Sequence, residues 1–255
     1  MLAVVAAMRR ELAGIEGMLS QGHRTNLGGT TVFEGERDGQ KVILAATGIG
    51  GKQAGEVMAL VAERYRPQAL LCIGYAGGIS EELEAGDLVL YSRVHLLESP
   101  LPPDGQATPL DSKPCDGELS RLARQALERA EIVFREGDGV TVPHLISESG
   151  TKRWIGEHLN AVAIDMESYW VARAAELNQI PILGVRAITD PVDQRAPDMA
   201  SVIDGTGDVS YWRALTHVLS HPFALYPMLR LARNAGRANR SLAKFVSAFI
   251  SLTLA

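Results

Sequence analysis

Four short segments of this 255-residue chain hold the side chains best suited to chemistry. They are Ala7-Met8-Arg9-Arg10-Glu11, Ile73-Gly74-Tyr75-Ala76-Gly77-Gly78, Ile164-Asp165-Met166-Glu167-Ser168 and Arg186-Ala187-Ile188-Thr189-Asp190. Each follows or closes an apolar run that reads as a strand, so small and polar residues stand where the strand runs out. Open α/β sheets bind their ligands at such ends. Glu11, Glu167 and Asp190 put a carboxylate in three of the segments, and Gly74, Gly77 and Gly78 would let a flat ligand lie close to backbone. Taken singly, each residue has an ordinary explanation. Glu167 could complement a helix dipole, Asp190 before Pro191 could be a turn residue, Met166 could be core, and Gly77-Gly78 could mark a turn. Four strand ends together point instead to a ligand site.

Other chemistries find less support. Gly48-Ile49-Gly50-Gly51-Lys52 resembles a phosphate loop, but no Ser or Thr follows Lys52 and the leading glycine is missing. His217 and His221 have a metal-compatible spacing on a helix, yet no carboxylate or third ligand lies near and Pro222 follows at once. No nucleophile elbow supports serine or thiol catalysis. Cys72 and Cys115 are too few for a disulfide framework or a structural zinc site, which suggests a reducing, cytoplasmic setting.

The elements that must position these residues can be read from periodicity. Strands are expected over residues 2–7, 69–73, 87–94, 140–142, 161–164 and 182–188, with a hairpin joining 31–33 to 41–44 through Asp38-Gly39. Helices are expected over 11–19, along Ala54, Val57, Met58, Val61 and Tyr65 up to Pro67, around Leu119 to Leu127, and from Met166 to Leu177. Residues 100–114, rich in Pro and Asp, read as a loop near a surface or a site mouth. Strands alternating with helices predict an α/β three-layer sandwich around a mixed, mainly parallel sheet. The expected division is a domain over residues 1–205 and a helical extension of it over 206–255.

That extension is basic. After Asp208 there is no acidic residue, while Arg213, Arg230, Arg233, Arg237, Arg240 and Lys244 all lie there. A helix would put Arg233, Arg237, Arg240 and Lys244 on one face, with Leu242, Phe245, Val246 and Phe249 opposite. Two uses are open: docking of the apolar face on the body, or peripheral membrane contact in which Phe245, Val246 and Phe249 insert. The whole chain has a net charge of -5, which gives no reason to expect nucleic acid as a partner. The apolar N-terminus carries Arg9 and Arg10 after its apolar run, the reverse of an export signal, and no apolar stretch is long enough to span a membrane.

The four segments, in this order and spacing, resemble the purine nucleoside phosphorylase and nucleosidase superfamily, in particular 5′-methylthioadenosine/S-adenosylhomocysteine nucleosidases. The resemblance covers about residues 1–205. The basic extension is similar to the hopanoid-associated nucleoside phosphorylase branch, which implies adenosylhopane as a substrate. The resemblance implies cleavage of a purine N-glycosidic bond with release of adenine from a 5′-modified adenosine, without metal or organic cofactor, by a homodimer.

In that pattern Asp190 matches the acid that protonates or hydrogen-bonds purine N7, and to do so near neutral pH it should lie in an apolar site. Glu167 matches the acceptor of the ribose 2′- and 3′-hydroxyls, and its charge would favour a cationic sugar. Met166 would pack on the ribose; Ala76, Gly77, Gly78, Leu145 and Ile146 would line the base, with Thr189 and Tyr75 beside them. Glu11 falls where hydrolases activate water, and a carboxylate there repels phosphate. Arg9 and Arg10 depart from the hydrolase pattern and could bind phosphate. Their side chains diverge on a helix, so both are not expected in one pocket. The rivals to a nucleosidase are a phosphate-dependent phosphorylase and a catalytically silent nucleoside-binding or membrane-associated protein.

Overall fold

A computed structural model describes residues 1–97, 109–193 and 225–253. In chain order the elements are β1 (Leu2–Ala6), α1 (Arg9–Glu16), β2 (Ser20–Leu27), β3 (Thr30–Arg37), β4 (Gln40–Ala46) and α2 (Gly51–Tyr65). They continue with β5 (Ala69–Gly78), β6 (Leu88–Leu96), β7 (Asp111–Pro114), α3 (Gly117–Arg129), β8 (Phe134–Thr141) and α4 (Ser149–Leu159). Last come β9 (Ala161–Asp165), α5 (Ser168–Leu177), β10 (Ile182–Asp190) and α6 (Leu225–Leu252).

The fold is an α/β sandwich. Strand order is β10-β6-β8-β9-β5-β1-β4-β3-β2, with β7 on β6, and β10 also pairs β5. The second pairing closes β5, β10, β6, β8 and β9 into a ring; Glu167 follows the end of β9 and Asp190 ends β10. The sheet is more evenly mixed than periodicity suggested: β1–β4, β1–β5, β10–β5, β6–β8 and β8–β9 are parallel, while the other five pairings are antiparallel.

Alternation along the central strands divides the core. Leu2, Val4, Leu71 and Ile73 face a layer of α1, α3 and α6, whereas Ala3, Val5, Leu70 and Cys72 face α2 and α5. Both faces are covered, so the central parallel strands are continuously apolar. In α2, Ala54, Val57, Met58 and Val61 are buried, and the helix ends at Arg66 in the left-handed conformation immediately before Pro67. Asp38 and Gly39 both have positive φ, as the tight β3–β4 hairpin requires.

Several elements depart from the expected pattern. The polar β2 has no hydrophobic alternation and is held by its pairing with β3. β8 starts at Phe134, upstream of its apolar end. Of the expected 100–114 loop, residues 100–108 lie outside the described residues, and Asp111–Pro114 is a strand paired with β6. His217, His221 and the boundary at residue 206 also lie outside them.

Helix α6 shows the expected two faces. Arg233, Arg237, Arg240 and Lys244 are exposed, while Leu242, Phe245, Val246 and Phe249 are fully buried against the body. This corrects the insertion reading: Phe245, Val246 and Phe249 are core residues and are not available to a bilayer. Among the described residues no helix is long and apolar enough to cross a membrane.

Candidate active site

Glu11 occupies the first turn of α1 and is buried. Its Oε2 accepts from the Met8 backbone N–H at 2.7 Å and its Oε1 from that of Tyr75 at 2.8 Å. One carboxylate therefore caps α1 and ties it to the end of β5. Burial raises its pKa, opposed by the two backbone donors and by Arg186 and Arg10. Gly74 separates Glu11 from Arg186: a Cβ there would lie 2.3 Å from Arg186 Nη1 and 3.0 Å from Glu11 Oε1, at a φ of +153°.

Arg186 is fully buried. It pairs with Asp165 at 3.0 Å and also donates to the Ser168 hydroxyl and the Ile73 carbonyl. Asp165 accepts as well from Thr141 Oγ1 at 2.8 Å, Tyr91 OH at 3.2 Å and the backbone N–H groups of Glu167 and Ser168. This network fixes the start of α5 and hence Glu167. Glu167 Oε1 accepts from the Gly50 N–H at 2.8 Å, so the glycine-rich segment that fails as a phosphate loop binds a carboxylate. Burial, with Asp165 next in weight, pushes the Glu167 carboxyl up to about 7.

Asp190 is buried at the end of β10, but its surroundings differ from the expected apolar site. Lys152 of α4, wholly buried, reaches Asp190 Oδ2 at 2.6 Å and the Asp190 main-chain oxygen at 3.2 Å. Thr189 Oγ1 donates to Asp190 Oδ1 at 2.9 Å. Gly77 makes room for this pair, since a Cβ there would sit 2.9 Å from Asp190 Oδ2 and 3.1 Å from Lys152 Nζ. The space freed by this glycine is thus occupied by the protein's own side chains. Around Gly78, Ile188 and Pro191 stand at contact distance.

The remaining expected residues divide. Ala76 is buried in the core beside the site, and Met166 is half-buried and lies outside the core clusters. Ile146 packs against the cluster around α4, whereas Leu145 is 54% exposed. Tyr75 turns toward the α6 layer: its hydroxyl bonds Asn239 at 2.8 Å and Arg10 lies over its ring. Arg9 and Arg10 line one cavity of about 340 Å³ together with Arg24, Thr31 and Phe33, correcting the expected divergence. Both side chains are long enough to wrap a space beside the first turn of α1. The cavity lining includes none of Glu11, Glu167 and Asp190.

Sequence reasoning assigned no role to Lys152, Asp165 or Arg186. A charged residue inside the apolar run 182–188 was a usable sign that Arg186 is buried and needs a counter-charge. Lys152 gave no such sign, because α4 carries it to Asp190 only in three dimensions. Among the described residues no group of three His, Cys, Asp or Glu could hold a metal ion. What the site offers is acid–base chemistry from three carboxylates shielded from water.

A family model described as the phosphorylase superfamily matches residues 1–212. The chain belongs to the phosphorylase superfamily. Within it, the chain is 26% identical over 213 residues to a 5′-methylthioadenosine/S-adenosylhomocysteine nucleosidase of Listeria monocytogenes, covering 76% of this chain and 88% of the relative. A nucleosidase of the same name from Neisseria meningitidis, solved in complex with methylthio-immucillin-A, superimposes with a TM-score of 0.76 at 21% identity, covering 98% of this chain and 97% of that one. Futalosine hydrolase of Helicobacter pylori gives a TM-score of 0.76 at 17% identity, with coverage of 98% and 97%.

Proposed function

We propose that this superfamily member is a purine nucleosidase that hydrolyses the N-glycosidic bond of a 5′-modified adenosine and releases adenine. The observation that carries the reading is the set Glu11, Glu167 and Asp190, three buried carboxylates at separate strand ends. The names of the relatives, nucleosidases and a futalosine hydrolase, point the same way. Asp190 serves the purine N7, Glu167 the ribose hydroxyls with Met166 against the sugar, and Glu11 the attacking water. Ala76, Gly77 and Ile146 border the base.

As C1′–N9 breaks, its electron pair moves onto the purine and N7 takes a proton. Positive charge grows on the sugar, where the Glu167 carboxylate lowers its energy. Water adds to C1′ and loses a proton to Glu11. Adenosylhopane remains a candidate substrate on the sequence resemblance alone. A homodimer and contact of the exposed basic face of α6 with anionic headgroups belong to the same reading.

A phosphorylase is the second reading, favoured by Arg9 and Arg10 on the same first turn of α1 as Glu11. The test is adenine release from adenosine, methylthioadenosine and a 5′-alkylated adenosine, each with and without phosphate. Equal release in both buffers, with Asp190→Asn at least about 10²-fold slower, is the expected result. Strict phosphate dependence would replace hydrolysis by phosphorolysis. Tight adenine binding without release from any substrate would favour a silent binder.

A further inference from the structure

Among the described residues, Lys152 is the one buried cation placed directly against the residue read as the leaving-group acid. Its side chain has no exposed surface, and its Nζ stands 2.6 Å from Asp190 Oδ2. The bond to the Asp190 main-chain oxygen at 3.2 Å holds the ammonium in register with this residue. Burying an ammonium is costly unless a partner compensates it. The other Asp190 oxygen meets Thr189 Oγ1 at 2.9 Å, a hydroxyl that can turn from donor to acceptor. A carboxyl so held can receive a proton at one oxygen and give one from the other.

We propose that Lys152 is a positioning residue that stores the proton delivered to the purine, so that the leaving-group acid is the Lys152–Asp190 pair. The inference rests on the reading of Asp190 as that acid. At rest Lys152 is an ammonium and Asp190 a carboxylate. When C1′–N9 breaks and its electron pair moves onto the purine, a proton passes from Lys152 through the Asp190 carboxyl to N7. Lys152 is left as a neutral amine, Asp190 is again a carboxylate, and the base leaves neutral. Glu11 holds the proton lost by water, and solvent restores both groups after release.

Among the described residues, these groups surround the pair. β5 and β9 contribute Gly77 and Ile164, and α6 contributes Asn234, which donates to the Thr189 main-chain oxygen. Among charged neighbours, Glu148 lies one turn before Lys152 on α4, and Arg153 pairs with Glu81 and Asp193 at the surface.

The test compares wild type with Lys152→Met in base release across pH. Asp190 alone must hold its own proton to act, so in the variant the alkaline limb of kcat should move to lower pH. The rate should fall by about 10²-fold under mildly alkaline conditions, far less under mildly acidic ones, with KM little changed. A folded variant whose limb stays in place, losing activity equally at every pH, would overturn the proposal. The second measurement needs no variant at position 152. With ¹³C-labelled aspartate, the Asp190 carboxyl signal, identified by its loss in Asp190→Asn, should read as ionised in wild type at neutral pH. A protonated reading there overturns the proposal. If the signal reads as ionised and no nucleoside is cleaved by wild type, the nucleosidase reading fails while the ion pair stands.

Discussion

Glu167 carries a stability cost whose sign can be worked out. Its carboxyl titrates at about 7 in the fold against 4.5 as a free group, because burial disfavours its charged form and Asp165 adds repulsion. Between these values the folded chain holds a proton that the unfolded chain has lost, so stability falls as pH rises through that window. The penalty is absent below the lower value and complete above the upper one, on the order of 3 kcal/mol. Glu167→Gln keeps an acceptor for the Gly50 N–H and removes the charge. Thermal unfolding of this variant should match wild type in mild acid and exceed it by several degrees in mild alkali. Equal melting at both pH values would mean that Glu167 is not held at this cost. The same substitution should slow base release, since the ribose site loses its anion.

At the scale of elements, glycines decide how closely the site-bearing strands and helices meet. Gly74 lies where β5 passes between Glu11 on α1 and Arg186 on β10. Gly74→Ala places a methyl 2.3 Å from the guanidinium in a backbone conformation that L residues rarely adopt. Denaturant unfolding should show a loss of about 3 kcal/mol or more, against a smaller loss of about 1–2 kcal/mol for Gly29→Ala, which meets nothing within 4 Å. Because Gly29 also has positive φ, it reports the backbone cost alone. A similar loss at the two positions would show that the close approach to Arg186 is not what requires glycine at position 74.

For the whole molecule, α6 is part of the core. Phe249 is fully buried in the cluster shared with α1, α3 and the central strands, so Phe249→Ala should cost about 3–5 kcal/mol in unfolding free energy. Vesicle co-sedimentation should be unchanged by that substitution at a temperature where the variant stays folded. If anionic vesicles bind, replacing Arg233, Arg237, Arg240 and Lys244 with Gln should weaken them, and added salt should do the same. Binding lost on Phe249→Ala with the fold intact would restore the insertion reading. The amino-acid sequence by itself determined most strands and helices around the site, because core faces leave periods of two and of three to four residues along the chain. It also brought out Glu11, Glu167 and Asp190, since each sits where a readable strand runs out. Tertiary structure alone decided the partners of those carboxylates: Lys152 for Asp190, Gly50 for Glu167 and Tyr75 for Glu11 are 38, 117 and 64 residues away in sequence. Local pattern records which face of an element is buried. Which polar group meets another across that buried face depends on strand order and helix docking, and no periodicity encodes it.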